Sequence, residues 1–365
     1  MAITSVGIVL HDFALGGTER IAVRLGRAWA EQGVDVRVFC GEDTGPLRSF
    51  LGKNIPVLAA EPALPRAQRD RGRLAIAAAE EFARDPVDAV FVPGNYHWPV
   101  AHRLTRMARG RRPVVAAQIS AAVCKPQRGP VRQRAYDWQM RRLLKKADGL
   151  IALSGAARVQ VEDIVSGPAV RSIPSPALDD VLPPPTQAEG RMVMAAGRLV
   201  PEKGFGMLIE AFARTRDPDA MLTIVGEGPD EGRLRALIGA LNLEDRVTLA
   251  GYQPDIRPWL DRARLFVLSS DYEGYPAVMI EALAAGRPVI ATDCTPATSE
   301  LLTSPDRGMV VPVGFAASMA AAIDTMLARP APDAAQLAVA VDRHRLGHVA
   351  RLYLDFFAEL ATRRV

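Results

Sequence analysis

Two glutamates with seven residues between them, Glu273 and Glu281, could bind hydroxyl groups from opposite ends of one short segment. Between them, Gly274 permits backbone conformations that are closed to other residues, and Pro276 fixes its own φ close to a helix start. A helix predicted over residues 277–285 would direct its first amides into this loop, where they and the helix dipole form an anion site. Glu281 would lie about one turn inside that helix and would reach a sugar hydroxyl of a ligand whose phosphates bind the helix end. The segment therefore suits a nucleotide-sugar site.

Two cations flank a second loop that could hold the same diphosphate. An apolar strand predicted over residues 192–196 runs into a loop that carries Arg198 and Lys203, and a helix is predicted over residues 205–214. Arginine bonds phosphate oxygens bidentately and lysine acts as a point charge, so the pair could clamp both phosphates. Taken alone, each of these cations and glutamates is ordinarily a solvated surface group, and only their combination predicts a ligand site.

Two glycines follow a further strand of the carboxyl-terminal half. The strand predicted over residues 221–225 runs into Gly226 and Gly228, which would bring the backbone close to a ligand at the carboxyl edge of a parallel sheet. Such a glycine pair is a weak signal by itself. The glutamate segment follows another predicted strand, over residues 263–269, so it has the same order of strand, loop and helix.

Together these motifs resemble the donor-binding domain of the family-four retaining glycosyltransferases, which have the GT-B architecture, and the resemblance covers residues 192–313. It implies that Arg198 and Lys203 hold the donor diphosphate. It also implies that Glu281 bonds the ribose hydroxyls and that Glu273 faces the transferred sugar. The backbone expected to contact sugar and phosphate comprises Gly274, Tyr275, Pro276, Ala277 and Val278. The segment that ends at Tyr252 would border the nucleobase.

The amino-terminal half shows the same alternation of strands and helices. A first strand over residues 6–10 is followed by a loop and by Gly16 and Gly17, which open a helix. Gly17 could let the backbone approach a phosphate, although such glycines equally often only turn a strand into a helix. The resemblance favours the first interpretation, because the family carries a similar turn that faces the donor phosphates. Further strands are predicted over residues 34–39, 88–92, 114–118 and 149–153.

The predicted fold class is therefore α/β, with two Rossmann-like, doubly wound domains that face a cleft as in GT-B. A chain of 365 residues exceeds the usual size of a single core. Proline-rich sequence between residues 173 and 190 cannot continue a helix or a central strand and marks the boundary. We predict an acceptor-side domain over residues 1–175, a linker over 176–190, a donor-binding domain over 191–342 and an amphipathic helix over 343–365. The resemblance implies that this last helix crosses back to the first domain.

Charge is divided unequally between the halves. Residues 1–175 hold 26 Lys and Arg against 16 Asp and Glu, whereas residues 176–365 hold 19 against 25. Between residues 103 and 146 a single acid, Asp137, accompanies thirteen cations: Arg103, Arg106, Arg109, Arg111, Arg112, Lys125, Arg128, Arg132, Arg134, Arg141, Arg142, Lys145 and Lys146. This segment is either a solvated helix face or a surface for anionic membranes, since aromatic residues are interleaved with its cations. Nucleic acid is disfavoured as a partner, because no recognition motif accompanies the charge.

Compartment and metal content follow from what the sequence lacks. The sequence contains no apolar run of about 18 residues that would predict a membrane-spanning helix, and its amino terminus lacks the profile of a signal peptide. We therefore expect a cytoplasmic protein. If the basic segment binds lipid, the protein would be peripheral at the inner face of the membrane. Three scattered cysteines form neither a disulfide framework nor a metal-ligand pattern. The five histidines give no metal site either, and the expected chemistry needs no metal.

That chemistry is transfer of a sugar from a nucleotide-diphosphate sugar, such as a UDP- or GDP-sugar, to an acceptor hydroxyl. Breaking the glycosyl–phosphate bond builds negative charge on the diphosphate, which the two cations and the helix amides would stabilise electrostatically. The resemblance implies retention at the anomeric carbon by front-face attack. We expect a sugar or lipid-linked acceptor, the latter if the basic segment binds an anionic membrane, and a role in the biosynthesis of cell-envelope glycolipid or polysaccharide.

The sequence departs from the family in its first domain, where many relatives carry a histidine near the sugar, often after the strand that here ends at Ser120. No histidine occurs there. His97, which follows the strand over residues 88–92, is the best substitute because ligands bind at the carboxyl ends of parallel strands. His11 is next. His97 could equally be a loop histidine that packs on Trp98.

Other classes of protein share parts of this pattern. A GT-B nucleotide-sugar epimerase or hydrolase would use the same donor clamp without an acceptor, and a non-catalytic sensor would bind the donor without turnover. A nicotinamide dehydrogenase would require a glycine-rich fingerprint after the first strand, which Gly16 and Gly17 do not supply.

Overall fold

The computed structural model describes residues 2–108, 110, 112–125 and 128–364. The chain forms two compact units, one comprising Met1–Asp179 with Arg345–Val365 and the other Asp180–His344. We call them unit 1 and unit 2. Arg109 and Arg111, two of the cations counted in the basic segment, lie outside the described residues.

Unit 1 contains a parallel sheet of seven strands in the order β3-β2-β1-β4-β5-β6-β7. The strands are β1 (Ser5–Leu10), β2 (Asp35–Cys40), β3 (Val57–Ala59), β4 (Ala89–Val92), β5 (Val114–Ile119), β6 (Gly149–Ala152) and β7 (Ala169–Ser172). The central strands are buried along their whole length, because helices cover both faces of a parallel sheet. The helices of this part are α1 (Gly17–Glu31), α2 (Arg71–Arg84), α3 (Trp98–Leu104), α4 (Gly129–Leu144) and α5 (Gly155–Ile164). The strand order reverses between β1 and β4, where ligands bind in such folds.

Unit 2 contains a parallel sheet of six strands in the order β10-β9-β8-β11-β12-β13. The strands are β8 (Met192–Ala196), β9 (Met221–Val225), β10 (Val247–Leu249), β11 (Leu265–Leu268), β12 (Val289–Thr292) and β13 (Gly308–Val311). The helices are α6 (Phe205–Phe212), α7 (Glu231–Ala240), α8 (Arg257–Arg262), α9 (Ala277–Ala284), α10 (Pro296–Leu301), α11 (Ala316–Ala328) and α12 (Ala334–Val339). Its strand order reverses between β8 and β11, so the loops after these strands meet at one edge of the sheet.

The last helix, α13 (Leu346–Thr362), belongs to the core of unit 1. The rings of Tyr353 and Phe357 pack on Trp29 of α1 at centroid distances of 6.0 and 5.7 Å, and the indole N–H of Trp29 donates to the carbonyl of Ala350. The predicted start at residue 343 was wrong. The helix begins three residues later, because the backbone of Arg345 is extended and the amide of Leu346 donates to the carbonyl of Leu178.

The proline-rich stretch is held against unit 2. Arg257 donates to the carbonyls of Pro183 and Pro184, and the buried Arg287 donates to Thr186. These contacts fix residues 183–186, which the sequence analysis assigned to a linker, as part of the second compact unit. No helix in the described part of the chain is both long and apolar enough to cross a lipid bilayer.

Candidate functional site

The loops after β8 and β9 touch each other through glycines. A Cβ at Gly226, whose φ is +143°, would lie 1.9 Å from the carbonyl oxygen of Gly197. A Cβ at Gly228 would lie 2.3 Å from the carbonyl oxygen of Leu199. These two positions therefore require glycine for packing between loops of the protein itself. That the backbone at Gly226 and Gly228 also lies close to a ligand remains a prediction.

Lys203 is fixed by a short turn between β8 and α6. Gly204 adopts a left-handed conformation, and a Cβ there would lie 2.1 Å from the carbonyl oxygen of Ser269. The hydroxyl of Ser269 in turn donates to the carbonyl of Lys203, at 2.8 Å. This contact joins the end of β11 to the lysine loop, so both loops are positioned by the same pair of strands.

The predicted cation and one predicted glutamate meet directly. Lys203 Nζ lies 2.5 Å from Glu273 Oε1, and the hydroxyl of Ser270 donates to the same carboxylate oxygen at 2.8 Å. The side chains of Lys203 and Glu273 are 26% and 15% exposed, so a ligand can reach both. Arg198 shares the loop with Lys203, and its side chain is 72% exposed, with the nearest carboxylate, that of Glu202, at 3.7 Å.

The loop between Glu273 and α9 is braced by residues after β12. The amide of Glu273 donates to the carbonyl of Cys294 at 3.3 Å, and the hydroxyl of Thr295 donates to the carbonyl of Gly274 at 3.3 Å. Cys294 and Thr295 were not predicted as part of the site, because a backbone carbonyl and a single threonine form no motif. Cys294 is buried, and burial raises the pKa of its thiol to about 12, so the thiol is protonated at neutral pH.

α9 begins after Pro276, whose own backbone is not helical. The amide of Ala277 donates to the carbonyl of Tyr275 at 3.0 Å, so the amide that the sequence analysis directed at a phosphate is used within the loop. The ring of Tyr275 packs against His344 at 5.9 Å, and burial raises the pKa of its hydroxyl. Val278 and the half-buried Glu281 lie on α9 in the order that the sequence predicts.

Tyr252 follows β10 at the same edge of the sheet and is 53% exposed. The preceding residue, Gly251, is left-handed and its carbonyl accepts the amide of Gly226 at 2.8 Å. An exposed aromatic ring held beside the glycine loop offers a surface on which a base could stack. The structure therefore brings the loops after β8, β9, β10 and β11 together at the carboxyl edge of one sheet.

Gly17 of unit 1 differs from the glycines of unit 2. It begins α1 and is exposed, and a Cβ at this position would meet no atom within 4 Å among the described residues. Packing within the described part of the chain therefore does not account for glycine here. Its neighbour Thr18 is fixed by a hydroxyl contact of 3.2 Å with Ser120, at the end of β5.

His97 follows β4 as predicted, but its ring is not accessible as the sequence analysis expected. The side chain is buried, and its Nδ1 donates to the carbonyl of Pro93 at 2.6 Å. Burial lowers the pKa of His97 to about 3, so the ring is neutral and cannot donate a proton from Nε2. His11 is also buried, with Nε2 bonded to the carbonyl of Pro65 at 2.8 Å. Sequence correctly places both histidines after strands, but it cannot give the direction of a ring, and neither ring is open to a sugar in this structure.

Burial of His97 predicts a pH dependence of stability. The unfolded residue takes up a proton below about pH 6.5, whereas the folded residue does so only below about pH 3. The unfolded state therefore binds more protons between these values, and the free energy of unfolding falls as the pH is lowered, by at most about 1.4 kcal/mol per pH unit. Urea unfolding at pH 7 and pH 5 should show a smaller fall for His97→Asn than for the wild type. The exposed His348, changed to Asn, is the matched control, and an equal fall in all three proteins would contradict the prediction.

Comparison with known proteins gives the class. Residues 183–342 match the family model described as glycosyl transferases group 1, and residues 16–176 match the glycosyl transferase 4-like domain. The chain belongs to this family of glycosyltransferases, whose fold is GT-B. The predictions of family and of fold class are confirmed.

Individual relatives agree with this assignment. The chain is 36% identical over 143 residues to the lipopolysaccharide core biosynthesis glycosyltransferase LpsE of Rhizobium meliloti, covering 39% of this chain and 41% of LpsE. It is 33% identical over 158 residues to a Campylobacter jejuni N-acetylgalactosaminyltransferase that acts on a diphospho-undecaprenol, covering 43% of this chain and 42% of that one. The chain thus spans about two fifths of the length of these relatives. The structure of Anabaena HepE with UDP-glucose superposes with a TM-score of 0.77 at 18% identity, covering 97% of this chain and 99% of that one.

Proposed function

We propose that this protein transfers a sugar from a nucleotide-diphosphate sugar to an acceptor hydroxyl with retention of anomeric configuration. The observation that carries the proposal is the contact of 2.5 Å between Lys203 and Glu273, with Arg198 on the same loop. Lysine and glutamate come from loops after two neighbouring strands, β8 and β11, at the point where the strand order reverses. Cations and a carboxylate at this edge match the parts of one ligand, the diphosphate and the sugar.

Charge development on the leaving group explains the arrangement. As the bond between the anomeric carbon and the phosphate oxygen breaks, the bonding electrons move to the diphosphate and the sugar becomes oxocarbenium-like. Arg198 and Lys203 stabilise that negative charge, and preorganised charges of this kind supply the largest share of many rate enhancements. The departing phosphate oxygen accepts the proton of the acceptor hydroxyl, which attacks the same face of the sugar. Two side-chain cations supply the positive charge, so the proposal requires no divalent metal.

Glu273 and Glu281 hold the two ends of the donor. Glu273 orients the sugar and keeps Lys203 in place through the ion pair. Glu281 bonds the ribose hydroxyls from α9, and Tyr252 borders the base. Gly17 takes the role toward the donor phosphates that the resemblance implies.

A UDP-sugar is the donor that we favour over a GDP-sugar. The support is the similarity of fold to HepE, whose structures contain UDP and UDP-glucose. For the acceptor we favour a sugar of a cell-envelope glycolipid or polysaccharide, since relatives act in lipopolysaccharide core biosynthesis and on a lipid-linked diphosphate. For such an acceptor we propose a location in the cytoplasm, at the inner face of the membrane.

The basic segment supplies a surface suited to that membrane. One stripe of α4 and its carboxyl end, at intervals of three and four residues, is exposed: Val131, Arg134, Trp138, Arg142 and Lys145. The guanidinium of Arg142 lies 5.2 Å from the centroid of the Trp138 ring, so both side chains share this face. An exposed tryptophan among cations is the composition of a helix that lies in an anionic lipid interface.

Removing the cations of this stripe should release the protein from anionic lipid. Each cation near such a surface contributes about 1 kcal/mol, so the triple change of Arg134, Arg142 and Lys145 to Ala should weaken binding about 100-fold. Sedimentation with vesicles that contain phosphatidylglycerol measures the loss. The control changes the exposed Arg214, Arg216 and Arg235 of unit 2 to Ala. The membrane proposal would be contradicted if both variants bound these vesicles equally. It would also be contradicted if the wild type bound pure phosphatidylcholine vesicles as tightly as those that contain phosphatidylglycerol.

The transfer itself is tested with a set of UDP-, GDP-, ADP- and TDP-sugars. A ligand at 100 times its dissociation constant stabilises the folded state by about 2.7 kcal/mol, so a thermal shift identifies the donor. Incubation of that donor with and without an acceptor mixture then separates the classes. Release of the nucleotide only with acceptor supports transfer, whereas full turnover without acceptor would support a hydrolase or an epimerase. Binding without turnover in either case would support a sensor.

A further inference from the structure

The loop between β1 and α1, residues 11–16, is closed by two carboxylates near its ends. Asp12 follows β1, and Glu19 lies in the first turn of α1. Both side chains are largely buried, at 12% and 5% exposure. Gly17, which the proposed function assigns to the donor phosphates, lies between them.

One arginine from another loop bonds both carboxylates. Arg66, in the segment between β3 and α2, donates from Nε and Nη2 to the two oxygens of Asp12, each at 2.8 Å. Its Nη2 also lies 2.5 Å from Glu19 Oε1. The guanidinium carbon lies over the ring of Tyr96, 5.4 Å from its centroid, within the range of a cation–π contact. Arg66 thus ties the start of the loop to the start of the helix.

The carboxylates pass this restraint on to the loop backbone. Asp12 Oδ1 accepts the amide of Ala14 at 3.0 Å. Glu19 Oε2 folds over Gly16, where a Cβ would lie 2.1 Å from it. Burial raises the pKa of Asp12, but the hydrogen bonds from Arg66 and Ala14 and the charge of Arg66 outweigh it, so the pKa lies below its ordinary value and the carboxylate is charged. Without the guanidinium, two buried negative charges would face each other across the loop.

We infer that Arg66 is a positioning residue that holds the Gly16–Gly17 turn for catalysis through Asp12 and Glu19. The inference rests on the proposed function for the role of Gly17, whereas the bracing itself rests only on the contacts within unit 1. We expect that lysine does not replace Arg66, because an ammonium lacks the planar fork that bonds both oxygens of Asp12 and also reaches Glu19.

The test compares Arg66→Lys with the wild type and with Arg84→Lys, a change of an exposed arginine on α2 that pairs only with Glu81 among the contacts described. Hydrogen exchange of the amides of residues 13–18 should speed up about tenfold or more in Arg66→Lys, because local protection reflects the free energy of opening. With the donor found above, kcat should fall about 10- to 100-fold while the donor KM stays within about threefold, since a displaced catalytic element costs rate rather than binding. Glu19→Gln, which keeps the shape of the side chain, should shift kcat in the same direction.

The outcomes separate the inference from the function on which it rests. Unchanged exchange in Arg66→Lys would overturn the bracing whether or not any donor is turned over. Faster exchange with unchanged kcat, or a loss confined to donor KM, would overturn the positioning role. A wild type that turns over no nucleotide sugar would overturn the proposed function, and the exchange rates would still decide whether Arg66 braces the turn.

Discussion

Lys203→Ala should lower kcat/KM for the donor about 100- to 1,000-fold, the usual effect of removing one group that stabilises a developing negative charge. The lysine is the better fixed of the two cations, since its ammonium lies 2.5 Å from Glu273 and its backbone is bonded to Ser269. Removing it should leave folding nearly unchanged. The partly exposed Glu273 retains the hydroxyl of Ser270 as a partner.

Steady-state kinetics and thermal unfolding of the same preparation check this prediction. The exposed Lys53, changed to Ala, is the matched control and should retain wild-type rates. A Lys203→Ala protein that keeps full activity would contradict the proposal that Lys203 binds the donor diphosphate. So would one whose loss of rate follows only from a lower melting temperature.

Arg287→Met should destabilise unit 2 by about 3–5 kcal/mol, as expected when a buried charged group is removed and its partners are left unsatisfied. The guanidinium is fully buried and donates to the carbonyls of Ala263 and Ala285 and to the backbone and hydroxyl of Thr186. Burial lowers the pKa of Arg287 to about 10, so the residue remains charged at neutral pH. Methionine fills part of the volume but donates no hydrogen bond.

Urea unfolding at neutral pH measures this loss. Arg235→Met, on the exposed face of α7, supplies the control and should stay within about 0.5 kcal/mol of the wild type. If the free energy of unfolding fell by less than about 1 kcal/mol in Arg287→Met, water would be bonding the carbonyls that Arg287 bonds in the wild type. In that case this arginine would not hold residues 183–186.

The sequence predicted the parts of the molecule in which local pattern and ligand chemistry coincide. Strands such as β8 and β9 lie at the predicted residues, because buried parallel strands are short apolar runs bounded by glycine or charge. The order of strand, loop and helix placed Lys203 and Glu273 at the same edge of a sheet. Their contact follows from the adjacency of β8 and β11, which the periodicity of the sequence does not predict.

Other features depend on directions and partners that no local pattern encodes. His97 follows a strand as predicted, yet its ring turns inward to its own loop carbonyl. The contacts of Arg66 with Asp12 and Glu19 span 54 and 47 residues, and each residue taken alone resembles a surface charge. The proline-rich segment was recognised as irregular, but its attachment to unit 2 depends on Arg257 and on the buried Arg287.

The most direct test of the central claim is a crystal structure of the protein soaked with the nucleotide sugar identified by thermal shift. We predict that the diphosphate lies on the loop after β8, bonded by Arg198 and Lys203, with the ribose on Glu281 and the base beside Tyr252. In that complex Glu273 should face the sugar. An empty loop edge at saturating ligand, or a nucleotide bound elsewhere on the chain with Lys203 and Glu273 still paired only to each other, would contradict the account.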